Sequence, residues 1–264
     1  RDGHRPTAKT FTAVISTLGA MGRAKEALDD VLPMIEEYGD DVDVAVWNAV
    51  AHAFCAGGDP AGAEKIVDRM VGEDGVGVNG ATHPEIIYTY AKRGEANRVY
   101  RLIRRMSSEH GIIPDERAYN AFLRGLCERD DLEDAEEVLR RWNNEKFDLE
   151  RQSDRGGRVS KPSAASYGLL IDAWTRRGNM LAARKLLQQM QWERIAPSLP
   201  LFNMLIDGYL KQENMSAAEG LFRELESSGT WDMESLGIKP DNVTYTLFLD
   251  YWANQGQVDA CERI

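Results

Sequence analysis

The stretch I-K-P-D-N-V-T-Y-T-L-F-L-D-Y-W at residues 238–252 indicates the fold, because the same motif occurs elsewhere in the chain. Residues 113–126 are I-P-D-E-R-A-Y-N-A-F-L-R-G-L. Both have Pro-Asp, a gap before a Tyr, a small polar residue and then an apolar run. A sequence motif that recurs far along the same chain indicates an array of structural repeats.

Three markers advance together along the chain and define the repeat. The first is an aromatic or His position: Phe11, Trp47, His83, Tyr119, Tyr167, Phe202 and Tyr245. The second is a small residue in mid-unit: Ala27, Ala63, Val99, Ala135, Ala183, Ala218 and Cys261. The third is a Gly or polar breaker: Gly22, Gly58, Gly94, Asp130, Gly178, Glu213 and Gly256. The first marker advances by about 36, 36, 36, 48, 35 and 43 residues.

Residues 164–198 predict two helices in each unit. Four apolar side chains follow the i, i+3, i+4, i+7 spacing of an amphipathic helix: Tyr167, Leu170, Ile171 and Trp174. Gly178 is suited to end this helix, Asn179 to cap the next, and Pro197 to stop it. Asp59, Asp131 and Asn214 hold the cap position in other units. Because no alternating strand pattern is present, we predict an all-α fold of stacked helical pairs, an α-solenoid.

The markers predict the boundaries of the units. Residues 1–7 are interpreted as the tail of a preceding unit. The array then comprises 8–43, 44–79, 80–115, 116–163, 164–198, 199–241 and the incomplete 242–264. Two units are lengthened by polar segments near 150–160 and 230–236, which we expect to be loops at one edge of the stack. Both ends look cut within a unit, so we expect more repeats beyond this chain.

The composition excludes several classes of function. The formal net charge of −11 is opposite in sign to that of a simple basic nucleic-acid binder. The three Cys residues form no CxxC pair, and the four His residues show no ligand spacing, so we expect neither a metal nor another cofactor. G-V-G-V-N-G at 75–80 lacks the preceding strand of a dinucleotide site, and H-P-E at 83–85 lacks the CxxC of a zinc deaminase. We predict no active site, no small-molecule substrate and no membrane span.

The units resemble those of the pentatricopeptide repeat (PPR) family. The resemblance covers residues 8–264. The best copies of its motifs are F-N-M-L-I-D-G-Y-L-K at 202–211, Y-N-A-F-L-R-G-L-C at 119–127 and G-I-K-P-D at 237–241. The Trp, Leu-Gly and Tyr signature of the tetratricopeptide repeat is absent from the first helix. Membership of this family implies a right-handed superhelix whose first helices line a groove for single-stranded RNA.

The resemblance also implies which residues select bases. In the family, each base is read by the residue after the aromatic position together with the last residue of the unit. The pairs here are Thr12 with Asp43, Asn48 with Asn79, Pro84 with Asp115, Asn120 with Ser163, Gly168 with Ser198, and Asn203 with Asp241; Thr246 opens the incomplete unit. By analogy these pairs imply the order 5′-G-C-?-C-?-U-3′, with blanks at Pro84 and Gly168.

Phosphate contact in the family often uses a basic residue near the end of the first helix. Lys92, Arg176 and Lys211 match this position, whereas Ala20, Ala56, Glu128 and Asn254 do not. The aliphatic residue that flanks the base, two positions before the aromatic, is matched well only by Val243. The other units have Lys9, Ala45, Ala81, Arg117, Ala165 and Pro200 there.

Three functional hypotheses follow. The first is a sequence-specific RNA-binding protein of mitochondria or chloroplasts that influences stability, processing, editing or translation of a transcript and does no chemistry itself. The second is a protein-interaction scaffold, for example a structural part of an organellar ribosome or another ribonucleoprotein assembly with protein partners. The third is an RNA-processing enzyme whose catalytic domain lies outside this chain.

Overall fold

The structure, a computed structural model, describes residues 7–37, 43–72, 77–152, 160–226 and 238–257. All regular structure within these ranges is helical, so the predicted all-α class of paired helices is confirmed. The helices are α1 (Ala8–Ala20), α2 (Ala24–Glu26), α3 (Leu32–Glu37), α4 (Val44–Ala56), α5 (Pro60–Gly72), α6 (Pro84–Lys92), α7 (Ala96–Ser108), α8 (Glu116–Glu128), α9 (Leu132–Gln152), α10 (Ala164–Arg176), α11 (Met180–Trp192), α12 (Leu199–Lys211), α13 (Met215–Glu226) and α14 (Asn242–Asn254). A π-helical segment, Ala27–Val31, joins α2 to α3.

The described residues form two compact units. The first comprises 7–129 with 140–161, and the second comprises 130–139 with 162–257, each without the gaps given above. In the first unit, α1 packs on α4, α4 on α6 and α6 on α8, while α5 and α7 lie against this row. In the second unit, α10 packs on α12 and α12 on α14, with α11 and α13 against them. Within each unit the first helices of successive pairs therefore lie side by side.

Small residues let the paired helices approach closely. The mid-unit marker is fully buried wherever the structure describes it: Ala27, Ala63, Val99, Ala135, Ala183 and Ala218. The aromatic marker is also buried, at Phe11, Trp47, Tyr119, Tyr167 and Phe202. Two of the three sequence markers are therefore core positions, which is why they recur with the period of the unit.

The third marker is a left-handed turn between the two helices of a pair. Its φ is positive at Gly22, Gly58, Gly94, Asp130, Gly178, Glu213 and Gly256. Gly adopts this conformation without steric cost, whereas Asp130 and Glu213 hold it with a Cβ present. The following residue then caps the second helix as predicted: Asn179 Oδ1 accepts from Ala182 N at 3.1 Å and Asp59 Oδ1 from Gly62 N at 2.9 Å. Asn214 does the same for Ala217 N at 3.2 Å.

Two helix ends differ from the sequence predictions. The first helix of residues 80–115 begins only at Pro84, after a turn in which Thr82 N donates to Asn79 O at 3.0 Å. Helix α11 ends at Trp192 and not at Pro197, because Arg194 turns left-handed and Ile195 N closes onto Met190 O at 2.9 Å.

The lengthened units lie only partly within the described residues. Helix α9 continues to Gln152, so the first residues of the segment predicted as a loop at 150–160 are helical. Residues 153–159 and the whole of 230–236 lie outside the described residues, as do 1–6 of the predicted tail and 75–76 of the glycine-rich motif. After the gap, Ser160 O accepts from Trp142 Nε1 at 2.7 Å, and Trp142 stacks on Tyr119 with ring centroids 4.5 Å apart.

Candidate nucleic-acid interface

The predicted base-selecting residues lie at the start of the first helices. The last residue of a predicted unit is the N-cap of the next first helix at Asp43, Asp115, Ser163, Ser198 and Asp241. Asp43, Asp115 and Asp241 each accept a backbone N–H from the first turn through Oδ1, at 3.0, 3.2 and 2.9 Å. Capping alone favours Ser, Asp or Asn at this place, so these residue types have a structural reason as well as a functional one.

One predicted pair, Asn203 and Asp241, forms a hydrogen-bonded cluster in the second compact unit. Asn203 Nδ2 donates to Asp241 Oδ1 at 3.3 Å, although the residues are far apart in sequence. The buried Thr244 hydroxyl donates to Asn203 Oδ1 at 2.7 Å. Asn203 itself is 9% exposed and Asp241 is exposed. The backbone N–H and hydroxyl of Thr244 hold the pKa of the Asp241 carboxyl below its usual value, so it is an acceptor at neutral pH.

The same cluster recurs in the first compact unit at Asn48, Asn79 and Thr82. Asn48 Nδ2 donates to Asn79 Oδ1 at 3.4 Å, and the buried Thr82 hydroxyl donates to Asn48 Oδ1 at 2.8 Å. Asn79 Oδ1 also accepts from Ala81 N at 2.9 Å. Asn48 is half-buried and Asn79 is exposed. In both units, therefore, the structure brings the two members of the pair together beside a threonine hydroxyl.

The other predicted readers are arranged differently. The hydroxyls of Thr12 and Thr246 donate to carbonyls of their own helices, Ala8 O at 2.7 Å and Asn242 O at 2.6 Å. Asn120 Nδ2 donates to Glu116 Oε1 at 3.2 Å, and its Oδ1 is buried without a partner among the described residues. Pro84 and Gly168 supply no polar side chain. No described hydrogen bond joins Thr12 to Asp43, so the sequence pairing holds as a direct contact only in the two clusters.

Each predicted phosphate-contacting residue already has an acidic partner. Lys92, Arg176 and Lys211 are the last residues of α6, α10 and α12. Arg176 lies 2.9 Å from Asp172 Oδ2 and Lys211 lies 2.6 Å from Asp207 Oδ2, one helical turn back. Lys92 Nζ lies 3.0 Å from Glu128 Oε2 at the end of α8. These cations are exposed, so they are accessible to a phosphate only in competition with a carboxylate.

The positions predicted to flank a base are exposed throughout the described residues. They are Lys9, Ala45, Ala81, Arg117, Ala165, Pro200 and Val243. Val243 is 55% exposed, which leaves a branched apolar side chain in solvent at the start of α14. A common exposure at one register of successive first helices indicates that these helices present a shared face within each unit.

The first helices are electrically balanced although the chain is acidic. Six basic and six acidic residues lie within the bounds of α1, α4, α6, α8, α10, α12 and α14. The excess negative charge therefore lies on the second helices and the connections. This balance lowers the electrostatic repulsion that an RNA backbone would otherwise meet, and the acidic side chains added at the starts of these helices are the N-caps Asp43, Asp115 and Asp241.

Sequence reasoning missed two groups at this face. One is the third-position hydroxyl of Thr82 and Thr244, which the sequence shows only as a Thr three residues after the unit's last residue. The other is a cluster around Tyr88, whose ring lies 4.1 Å from Arg124 Cζ and whose hydroxyl donates to Glu128 Oε2 at 2.6 Å. The residues of this cluster lie one helical turn or one repeat apart in the sequence, so no short sequence motif predicts the cluster.

Neither a metal site nor a membrane span is found in the part of the chain that the structure describes. No three His, Cys, Asp or Glu side chains are placed there to hold a metal ion. None of the described helices combines the length and apolar character needed to cross a membrane.

The chain is similar in sequence to plant repeat proteins. It is 22% identical over 192 residues to the Arabidopsis thaliana pentatricopeptide repeat-containing protein At5g25630. The aligned residues cover 72% of this chain and 31% of that protein. It is 21% identical over 126 residues to the Arabidopsis thaliana small ribosomal subunit protein mS81 (rPPR8), covering 48% of this chain and 19% of that protein. The chain thus spans a third or less of the length of these relatives.

Solved structures show the same fold. The crystal structure of the pentatricopeptide repeat protein PPR10 from maize matches 98% of this chain and 38% of PPR10, with a TM-score of 0.55 and 17% identity. PPR10 in complex with an 18-nt psaJ RNA element matches 99% of this chain and 35% of that chain, with a TM-score of 0.54 and 19% identity.

Family models match most of the predicted units. The model described as PPR repeat matches residues 110–143, and a second of the same description matches 45–74 and 201–230. The model described as pentatricopeptide repeat domain matches 160–212. Together with the paired helices and the relatives above, these matches show that the chain belongs to the pentatricopeptide repeat family.

Proposed function

We propose that this chain binds single-stranded RNA along the face of its first helices and selects bases with the residue pairs predicted above. The proposal is carried by one hydrogen-bonded cluster that occurs in two separate repeats. Asn48 contacts Asn79 in one of them, and Asn203 contacts Asp241 in the other. Both clusters lie at the register predicted to face a base. The division into units 8–43 to 242–264 is part of the same proposal.

The two clusters offer different hydrogen-bonding groups to a base. In each, the Asn oxygen accepts from a Thr hydroxyl, so the amide nitrogen is the group of the Asn that we propose to meet the base. Asn79 Oδ1 is also taken, which leaves its amide nitrogen as a second donor, and two donors suit the N3 and O2 acceptors of cytosine. Asp241 is a carboxylate and adds an acceptor, and a donor beside an acceptor suits the O and N3–H edge of uracil.

This chemistry agrees with the cytosine and uracil that the family resemblance implies for these two units. The full proposed order is 5′-G-C-?-C-?-U-3′, with Thr12 and Asp43 reading guanine and Asn120 with Ser163 reading the second cytosine. Lys92, Arg176 and Lys211 are proposed to contact phosphates by exchanging their carboxylate partners, which makes the affinity strongly dependent on salt.

At the level of the cell, we propose a role in organellar RNA metabolism. The bound transcript would be protected, processed, edited or translated differently because a segment of it is sequestered, without chemistry by this chain. Residence in a mitochondrion or chloroplast is supported by family membership and by relatives that are named as mitochondrial. The chain's partners would then be single-stranded RNA and the proteins of a ribonucleoprotein assembly.

The second candidate is a scaffold within a large assembly. Two observations favour it: every predicted phosphate-contacting cation is paired with a carboxylate, and one relative is a small ribosomal subunit protein. A scaffold of this kind would hold its neighbours through protein surfaces, and its groove would show no base preference.

Fluorescence anisotropy with a short labelled RNA distinguishes the two functions. We expect the 264-residue chain to bind an RNA that contains the proposed order at low salt, and to bind weakly when the bases facing Asn48 and Asn203 are changed to purines. Single-stranded DNA of the same sequence serves as the control for simple charge attraction. Failure to bind any single-stranded RNA at low salt would exclude the proposal and leave the scaffold.

A further inference from the structure

We infer that Thr82 and Thr244 are specificity-determining residues, because their hydroxyls fix the orientation of the reading amides of Asn48 and Asn203. This inference rests on the proposed function and adds a third residue to each reading pair. Both threonines are fully buried, so neither side chain is exposed at the surface.

The hydroxyl of each Thr has one hydrogen, and its surroundings decide where that hydrogen goes. Thr82 Oγ1 accepts from Asn79 N at 3.1 Å, and Thr244 Oγ1 accepts from Asp241 N at 3.2 Å. The nearest acceptor for the hydroxyl hydrogen is then the Asn oxygen, at 2.8 Å from Thr82 and 2.7 Å from Thr244. The second reader offers a more distant acceptor, Asn79 Oδ1 at 3.4 Å and Asp241 Oδ1 at 3.0 Å. Each Thr therefore joins the backbone of the second reader to the side chain of the first.

The neighbouring oxygens leave only one orientation of the amide satisfied. If the Asn203 amide were reversed, its oxygen would face Asp241 Oδ1, and two acceptors would repel each other. For Asn48 the facing atom is Asn79 Oδ1, whose identity is fixed because it accepts from Ala81 N. The orientation follows from the network and from nothing else in the Asn side chain, because a free amide flips readily.

This orientation sets what a base meets. The Asn oxygen points to the Thr, one N–H points to the second reader, and the remaining N–H is left for the base. A reversed amide would offer an acceptor instead and would favour a base edge with a donor. The Thr hydroxyl and the facing oxygen of the second reader together hold one of the two readings that the Asn alone allows.

Three of the other complete units lack this hydroxyl, and one has it as Ser166. The corresponding residues without a hydroxyl are Val46, Ala118 and Leu201 at the start of α4, α8 and α12. The readers that would face them are Thr12, Pro84 and Gly168, none of which has an amide to orient. A Thr is present in both clusters, where an Asn reads. Ser166 also follows an Asn reader, Asn120, but its Oγ accepts from Ser163 N at 3.2 Å in a capping box, and Asn120 Oδ1 has no partner among the described residues. The orienting hydrogen bond is therefore a feature of the two Thr clusters.

The test compares Thr244→Val with Thr244→Ser by the ratio of the Kd values for two RNAs. The RNAs differ only in uracil or cytosine at the base that faces residues 199–241. We expect Val to lower the preference for uracil by about five-fold, because one hydrogen bond that orients the amide is lost. We expect Ser, which keeps the hydroxyl, to retain the preference within about two-fold. Thr82→Val should likewise reduce the preference for cytosine facing Asn48.

A matched control separates orientation from capping. Thr10 Oγ1 accepts from Thr7 N at 3.3 Å in the capping box of α1, but no predicted reader of this chain precedes it. Thr10→Val therefore removes an equivalent capping bond, and we expect it to change thermal stability without changing base preference. A Thr244→Val chain that is folded by circular dichroism and keeps the wild-type preference would overturn the inference.

A measurement without RNA keeps the inference separate from the proposed function. Side-chain ¹⁵N relaxation of the Asn203 NH₂ group reports whether that amide is held. We expect it to be rigid in the wild type and in Thr244→Ser, and mobile in Thr244→Val. If the wild type shows no base preference, the proposed function fails at this unit. An equally rigid amide in Thr244→Val would then refute the orienting role by itself.

Discussion

Lys92 Nζ lies 3.0 Å from Glu128 Oε2, so the ends of two consecutive first helices, α6 and α8, are joined by an ion pair. The Tyr88 hydroxyl donates to the same carboxylate oxygen at 2.6 Å and accepts from Lys92 at 3.2 Å. Tyr88 and Glu128 together raise the pKa of Lys92, while Tyr88 and Lys92 lower that of Glu128. The cation predicted to contact phosphate is therefore neutralised by the acidic residue at the equivalent place in the next first helix.

Glu128→Gln should strengthen RNA binding. The amide cannot neutralise Lys92, so the ammonium becomes available to a phosphate. We expect the Kd for RNA to fall about three-fold to ten-fold at low salt and the salt dependence of log Kd to steepen by about one contact. Titrations at several salt concentrations measure both quantities.

Glu26→Gln is the control for net charge in that experiment. Glu26 pairs with Arg23 and belongs to α2, which is not one of the first helices, and its loss changes the formal charge of the chain by the same amount. We expect it to leave the salt slope unchanged. Equal effects of the two variants would mean that total charge, and not Lys92, governs binding.

Gly168→Asn should create a reader where the array has none. A Cβ added at Gly168 meets only Leu201 Cδ1 at 3.8 Å, an ordinary van der Waals contact, so the first atom of a side chain has room there. With Ser198 as its partner, the new Asn is expected to favour cytosine at the fifth base. The preference is measured as the ratio of Kd values for RNAs that differ only at that base, and we expect it to rise about five-fold.

Gly168→Ala separates base reading from helix propensity. It stabilises α10 by up to about 1 kcal/mol but adds no polar group. A cytosine preference that is the same in the Ala and Asn variants would show that this register does not face a base.

The period of the repeat was predictable from sequence because it is set by local and buried positions. The left-handed turn at Gly178 and the cap at Asn179 each depend on a few neighbouring residues. The buried Ala183 is dictated by close helix packing. Such positions leave a direct record in the sequence.

The reading geometry was only half predictable, because it depends on residues one unit apart. The family register located Asn203 and Asp241, but the hydroxyl of Thr244 that joins them was missed. The pairing of Lys92 with Glu128 was missed for the same reason, since ion pairs between units follow helix packing and not a motif. His83 stands where other units have an aromatic residue, and its contact with His110 follows from the packing of the chain and not from a local motif.

Glu213→Gly should stabilise the second compact unit. Glu213 has a φ of 58° in the turn between α12 and α13, where five other turns of the described chain have Gly. Removing the Cβ relieves the steric cost of the left-handed conformation, and we expect the free energy of unfolding to rise by about 1 kcal/mol. Urea denaturation measures the change. Glu213→Ala keeps a Cβ in the same backbone conformation, so a comparable gain from Ala would contradict this explanation.

His83 should make stability depend on pH below neutrality. Its Nε2 lies 2.9 Å from His110 Nδ1 in the first unit, with Arg105 nearby. Burial, His110 and Arg105 lower the pKa of His83 from 6.5 to about 4. The unfolded chain therefore binds more protons between these values. The contribution is complete above pH 6.5 and is lost as the pH falls toward 4, about 2 kcal/mol of it between pH 7.5 and 5.

His83→Phe tests this assignment, because Phe occupies the equivalent buried position at Phe11 and Phe202. The variant removes the buried base and leaves His110 without its partner. We expect the difference in unfolding free energy between pH 7.5 and pH 5 to shrink by more than half, as measured by denaturation at both values. His52→Phe changes a His on the exposed side of α4 and should leave that difference unaltered. If His83→Phe retains the full dependence on pH, the titrating group lies elsewhere in the chain.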